Sequence, residues 1–436
     1  MKLQDLLVPR LKTAASCPLR RAGIEPGLYH YLREADGEFV RFHLRVDTTA
    51  GGLLVANAAA VAKLRPSGVI IAKAVLEDRE EAAIIRQLTA LFDGVTSEQA
   101  LADVRRVRGI IANLESPEDN YPVLNLADPA FSPTMVPLER PLSADVPLAR
   151  PDRLVPLLDR LWGLGIPHVT FIAGEAFEAK WLLRAVERTE DLGMIAGVRA
   201  RGSDLLQPAL LADLATAGVD HVDVLYLAHE PAVHDALAGA GDHAAAVSAL
   251  SKIQDLAVCA VAEVALVETT LESIEETIES LIARGVKNAV FYAIATPDHE
   301  KKPDGPLSAG ALVQAAGLVE QSAEEHGVRL LWYPPVRFDE RVSLAEQVRR
   351  GPRSSGDSAI RVEPDGTVIP ARGWWQSAGN LMTDDWDSIR DHPSYRAYRL
   401  RVEEDTHCEL CPGLAICAAD CPRNPAGWAD PRPPTR

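Results

Sequence analysis

The chain has 436 residues, 47% of them hydrophobic and 25% charged, with a formal net charge of −17. That length exceeds one ordinary domain, and the composition is globular rather than disordered. No apolar run approaches the ~20 residues that span a bilayer, and a dispersed acidic excess without a basic stripe argues against nucleic acid and membrane as partners.

The opening residues, MKLQDLLVPRLKTAASCPLRR, have scattered basic residues and an apolar run too short and interrupted for a signal peptide, so the expected location is cytoplasmic. GLYHYLREADGEFVRFHLRVD alternates around an Asp-Gly pair and predicts a β-hairpin. LRPSGVIIAKAVLED, REEAAIIRQLTALFDG and SEQALADVRRVRGIIANL carry apolar residues at three- and four-residue spacing and predict helices, the last capped by Ser97. Residues 27–115 therefore read as a small winged-helix-like module. Residues 116–151 hold eight prolines and little periodicity, which predicts a linker ending in a short strand at ADVPL.

A regular alternation follows over residues 152–345. Helix DRLVPLLDRLWGLG leads to strand HVTFIAGE, helix EAKWLLRAVERTEDLG to strand MIAGVRA, and helix LQPALLADLATAG to strand HVDVLYLA. Further helices then alternate with strands AVCAVAEVALV, NAVFYAIA and RLLWYPPV. Strand–helix units of this length demand a parallel sheet, because each crossover needs a helix to return the chain. The fold class is α/β, a partial or complete (β/α) TIM-like barrel, with an open doubly wound sheet as the alternative. A barrel places an active site at the C-terminal strand ends.

Residues 355–425 form a small cysteine-rich extension. SAIRVEPDGTVIPARGWWQSAGNL predicts a hairpin around Asp365-Gly366, and HCELCPGLAICAADC holds Cys408, Cys411, Cys417 and Cys421, four of the six cysteines. A C-x2-C-x5-C-x3-C spacing without a secretion signal favours metal ligation over disulfides, and either zinc or an iron–sulfur cluster fits. Cys17 and Cys259 stand alone, and Cys259 is expected to fill the core. His299 with Glu300, after a strand, stands where a barrel can place a catalytic pair, although the lysines and Pro-Asp-Gly turn that follow favour a solvated loop. His229, Glu230 and His234 in LAHEPAVHDAL have the types and spacing of metal ligands, although a capping turn explains them more simply.

GLYHYLREADGEFVRFHLRVDTTAGGLLVANAAAVAKL, LVPLLDRLWGLGIPHVTFIAGEAF and VEPDGTVIPARGWWQSAGNLMTDDWDSI with CELCPGLAICAADCP together resemble the radical S-adenosylmethionine superfamily. The first resembles its PqqD-like peptide-recognition module, the second the Gly-Gly-Glu-Pro strand of the partial barrel, and the third the SPASM or twitch extension. This resemblance implies Gly174 and Glu175 as remnants of the S-adenosylmethionine contact, within Ala173-Gly174-Glu175-Ala176. It further implies one auxiliary 4Fe–4S cluster, or zinc, at Cys408, Cys411, Cys417 and Cys421.

Departures from the family pattern fall at the catalytic loop. The family binds its catalytic cluster through C-x3-C-x2-C after the first strand, whereas this chain has no cysteine between Cys17 and Cys259. Arg350-Gly351 stands where the extension usually has Cys-Gly, and Ala371 replaces another cysteine. The implied role is a peptide- or partner-binding component, a chaperone or regulatory subunit in a peptide- or cofactor-modification pathway. Its partners would be a precursor peptide or an active radical enzyme. The alternative is an enzyme that binds S-adenosylmethionine and uses only the C-terminal site.

Overall fold

The alternating hairpin sequence forms β1 (Gly27–Ala35) and β2 (Glu38–Val46), antiparallel from Gly27↔Val46 to Ala35↔Glu38. The computed structural model describes residues 10–11, 18–35, 38–48, 51–57, 60–115, 138–148, 151–174, 177–256, 258–296, 301–333, 335–352, 359–369, 377–393 and 395–396. They fall into two compact units, one of residues 1–135 with 163–167 and one of residues 136–162 with 168–436.

In the first unit two further strands, β3 (Gly52–Ala56) and β4 (Ala60–Leu64), extend the hairpin to a four-stranded antiparallel meander. The sequence reading missed both. GLLVA is buried at every position, so it lacks the polar alternation that marks a half-exposed strand. Helices α1 (Pro66–Leu76), α2 (Glu81–Leu91) and α3 (Ser97–Glu115) follow as expected. Phe42, Leu44 and Leu54 from the sheet join Ile70, Ile84, Val104 and Ile111 from the helices in one core. The cap of α3 is Thr96 rather than Ser97. Its hydroxyl accepts from the Gln99 N–H (3.2 Å) while the Gln99 side chain accepts from the Thr96 N–H (3.0 Å), a reciprocal capping box.

The second unit alternates strands and helices. β5 (Ser143–Pro147) leads to α4 (Pro151–Gly163), β6 (His168–Ile172) to α5 (Ala179–Asp191), and β7 (Ile195–Ala200) to α6 (Leu210–Ala217). β8 (His221–Leu225) precedes α7 (Pro231–Ala238) and α8 (Asp242–Asp255), and β9 (Cys259–Leu266) precedes α9 (Ile274–Ala283). β10 (Asn288–Thr296) and α10 (Ala309–His326) lead to β11 (Arg329–Trp332), β12 (Val336–Arg337) and α11 (Leu344–Arg350). The end of the described chain forms β13 (Ala359–Val362), β14 (Thr367–Ile369), β15 (Gly379–Asn380) and α12 (Trp386–Arg390).

Strands β5 to β10 lie side by side in chain order, all parallel, and β11 and β12 both pair with β10. A doubly wound sheet reverses its order at a switch point, so consecutive order excludes it. The outer side of β5 pairs with β13, and β13–β15 continue the sheet as a hairpin extension. Among the described residues the sheet is therefore open, a partial barrel. No described helix is long and apolar enough to cross a membrane.

Candidate functional site

Side chains alternate across each strand, and the register decides which of them share a face. Val146, Phe171, Val198, Val224, Val264 and Phe291 are buried on the face covered by helices. The opposite, concave face carries Asp145 on β5, Thr170 on β6, Arg199 on β7, Asp223 on β8, Glu263 on β9 and Tyr292 on β10, with Arg361 on β13 beside Asp145.

Arg199 lies at the centre. Its Nη1 donates to Asp145 Oδ2 (3.0 Å), its Nε pairs with Glu263, and the Tyr333 ring lies 5.5 Å from its Cζ. All three charged side chains are 2–4% exposed, so solvent screens none of these interactions. Burial opposes the charge on Arg199, but Asp145 and Glu263 outweigh it and hold the guanidinium protonated well above its ordinary range. Burial also pushes Glu263 up to about 7, against the pull of Arg199.

A histidine pair lies on the same face. His168 Nε2 and His221 Nε2 are 2.8 Å apart, and His221 Nδ1 is 2.7 Å from Asp223 Oδ1. Gly197 on β7 lies in register with His221, and a Cβ there would collide with the His221 imidazole. Burial opposes protonation of His221, yet the Asp223 carboxylate prevails and its pKa is raised; burial opposes ionisation of Asp223, and His221 with Arg199 keeps it lowered. The arrangement can hold a proton between an imidazole pair and a carboxylate.

The raised value of Glu263 has a measurable sign. A carboxyl that is more basic folded than unfolded stabilises the fold when protonated, and that contribution is lost as pH rises from the ordinary carboxylate range through about 7. Glu263→Gln should therefore flatten the decline in melting temperature between about pH 5 and pH 8. Parallel wild-type and variant profiles would contradict this assignment.

At the C-terminal ends of the strands, Leu225, Ala265, Tyr292 and Ile294 pack with Val348 of α11 in a second core. Tyr292 Oη donates to the Val348 carbonyl (2.7 Å). The place where barrel enzymes build active sites is thus lined by apolar side chains and covered by this chain's own helix.

The residues singled out in the sequence disperse. Gly174 is exposed just beyond β6, and nothing lies within 4 Å of a Cβ added there. Glu175, His299, Glu300, Cys17, Cys408, Cys411, Cys417 and Cys421 lie outside the described residues. His234 is fully buried. Its Nδ1 accepts from the Leu227 N–H (3.1 Å), which puts the ring proton on Nε2, facing Asp242 Oδ2 at 3.0 Å. Both ring nitrogens are thus occupied, and Glu230, the residue before α7, is exposed and makes no capping hydrogen bond, so the junction is held by His234 rather than by a side-chain cap. Among the described residues no group of three or more His, Cys, Asp or Glu side chains could hold a metal ion. Cys259 is exposed at the start of β9, not in the core, with Asn288 Nδ2 3.4 Å from its Sγ.

The charged cluster escaped the sequence reading. Its signal was a single charge inside an otherwise apolar strand, Arg199 in MIAGVRA and Glu263 in AVCAVAEVALV, which a buried group tolerates only with a partner. β5 ends at Pro147 and α4 begins at Pro151, so three residues, none of them cysteine, connect them. A cluster held by three thiolates after the first strand does not fit this connection.

No protein-family model matches the chain, and no curated protein matches it. Among solved structures it is similar to Streptococcus suis SuiB bound to S-adenosylmethionine, at 12% identity and a TM-score of 0.52, covering 89% of this chain and 95% of that one. The same protein bound to precursor peptide SuiA matches at 12% identity and a TM-score of 0.50, with the same coverage. At this identity the likeness shows a shared fold over nearly the whole of both chains.

Proposed function

We propose that this chain is a radical S-adenosylmethionine-type protein that no longer builds the catalytic cluster and serves as a peptide- or partner-binding component of a modification pathway. The observation that carries the reading is the three-residue, cysteine-free connection between β5 and α4. Radical cleavage of S-adenosylmethionine needs an iron with an open coordination position beside the ligand, and this connection supplies no thiolates to hold it. On the barrel's concave face Arg199 forms ion pairs with Asp145 and Glu263, while Asp145 Oδ1 and Arg199 Nη2 make no hydrogen bond.

Binding of a peptide is supported by SuiB, whose structure with its precursor peptide shares this fold. The N-terminal unit is the proposed recognition module, with β1 and β4 as the edge strands of its described sheet. An exposed edge accepts an extended peptide through backbone hydrogen bonds, with alternate side chains supplying selectivity. Cys408, Cys411, Cys417 and Cys421 are proposed to hold one 4Fe–4S cluster or zinc that staples the extension.

The test is incubation of anaerobically reconstituted protein with S-adenosylmethionine and dithionite. The expected result is no 5′-deoxyadenosine above the protein-free control. Turnover that depends on the protein would overturn the proposal in favour of an enzyme working from the C-terminal site.

A further inference from the structure

β6 and β8 lie on either side of β7, roughly 9.6 Å apart at ordinary strand spacing. Their first residues nevertheless touch, with His168 Nε2 and His221 Nε2 2.8 Å from each other. The contact passes over β7 at Gly197, the residue in register with His221, where a Cβ would lie 2.2 Å from both Cε1 and Nε2 of the ring. Thr170, in register with Gly197 from the other side, places its Oγ1 3.3 Å from His168 Nε2.

The geometry decides what the two rings hold. Their centroids are 5.0 Å apart, close to the N–N distance plus the two ring radii, so the nitrogens meet head-on. Two imidazoles on one tetrahedral ion would instead hold their nitrogens about 3.3 Å apart, given Zn–N bonds of about 2.05 Å. A head-on contact at hydrogen-bond length holds a single proton. His221 Nδ1 lies 2.7 Å from Asp223 Oδ1 and keeps its own proton toward that carboxylate. With both rings neutral, His168 Nε2–H donates to His221; with one further proton, the His221 imidazolium donates to His168. One more proton sets N–H against N–H, and the contact is lost.

We propose that His168 and His221 form an acid-released latch across the N-terminal ends of β6, β7 and β8, closed while the pair carries at most one excess proton and open when both rings are imidazolium. His221 is 17% exposed, so solvent protons reach the pair. Burial and Arg199 oppose the first proton, and Asp223 with Asp220 outweigh them, so the pKa of His221 is raised. The second proton enters against the charge of the first, which puts opening below the ordinary histidine range, at roughly pH 6 and under. Other titratable groups share this face. Asp145 and Glu263 pair with Arg199, and Cys259, in register with His221 on β9, is a neutral thiol at these pH values. Glu263 titrates at about 7, so the test has to separate it from the histidines.

The experiment follows amide exchange at residues 168–172 and 221–225 of the full-length chain from about pH 7.5 to about pH 5, corrected for the intrinsic pH dependence of exchange. Opening that takes up one proton should raise exchange by up to about tenfold per pH unit below about pH 6. His168→Gln keeps an N–H donor for His221 Nε2 but takes up no proton, so its strands should stay protected to about pH 5. Glu263→Gln should open as wild type does. In wild type labelled with 15N-histidine, both rings should become imidazolium over the same pH range in which exchange rises. Wild-type protection that persists to about pH 5, opening of His168→Gln equal to that of wild type, loss of opening in Glu263→Gln, or exchange that rises while one ring is still neutral would each overturn the proposal.

Discussion

Arg199→Met should destabilise the barrel unit by about 3 to 5 kcal/mol, the cost of removing one partner from a buried charge cluster. The guanidinium pairs with both Asp145 and Glu263, and with it gone the two carboxylates share a buried interior with Asp223. The loss is electrostatic rather than volumetric, since methionine fills much of the same stem. Two observations separate these causes. The variant should regain stability as pH falls and the carboxylates protonate, and adding Glu263→Gln to Arg199→Met should recover part of the loss. A variant as stable as wild type at neutral pH would show that the cluster does not hold the sheet together.

His234→Ala should cost about 2 to 4 kcal/mol, combining a cavity with two broken hydrogen bonds. The Leu227 N–H loses its acceptor at the end of β8, and Asp242 loses the imidazole while keeping the Ser203 N–H at 2.8 Å. Because the imidazole here is a bracket between strand and helix, any change in melting temperature on adding zinc or EDTA should be the same in wild type and in His234→Ala. A zinc-dependent rise in wild type that disappears in His234→Ala would restore the metal-ligand reading of His229, Glu230 and His234.

The strands of the barrel were legible because each reads as a short apolar run between amphipathic helices, and all six parallel strands β5–β10 overlap the expected segments, β5 starting one residue before ADVPL and β10 ending one residue beyond NAVFYAIA. The order of those strands was not legible, since the same alternation suits a doubly wound sheet; hydrogen-bond register decides it. β3 and β4 were missed because GLLVA and AVAKL lack the period of a half-exposed strand. Single residues were harder to read. Glu263 and Arg199 are far apart in sequence and acquire meaning only when the β7–β8–β9 register brings them to one face. His234 had the residue type and spacing of a metal ligand, and its partners, Leu227 N–H and Asp242, depend on a turn that spacing does not encode. Gly351 was foreshadowed only as a departure, Arg350-Gly351 where a Cys-Gly pair was expected, with no signal that the glycine would lie beside an ion pair.

The central claim is that this chain builds no cluster after its first barrel strand. It is tested most directly by counting iron, zinc and acid-labile sulfide per chain in anaerobically reconstituted protein. The same count is made on a variant with Cys408, Cys411, Cys417 and Cys421 all replaced by alanine. The account predicts a single site, about four irons with matching sulfide or one zinc, lost entirely in the quadruple variant. About twice that iron, or a sulfide-bearing cluster that survives the four substitutions, would contradict it.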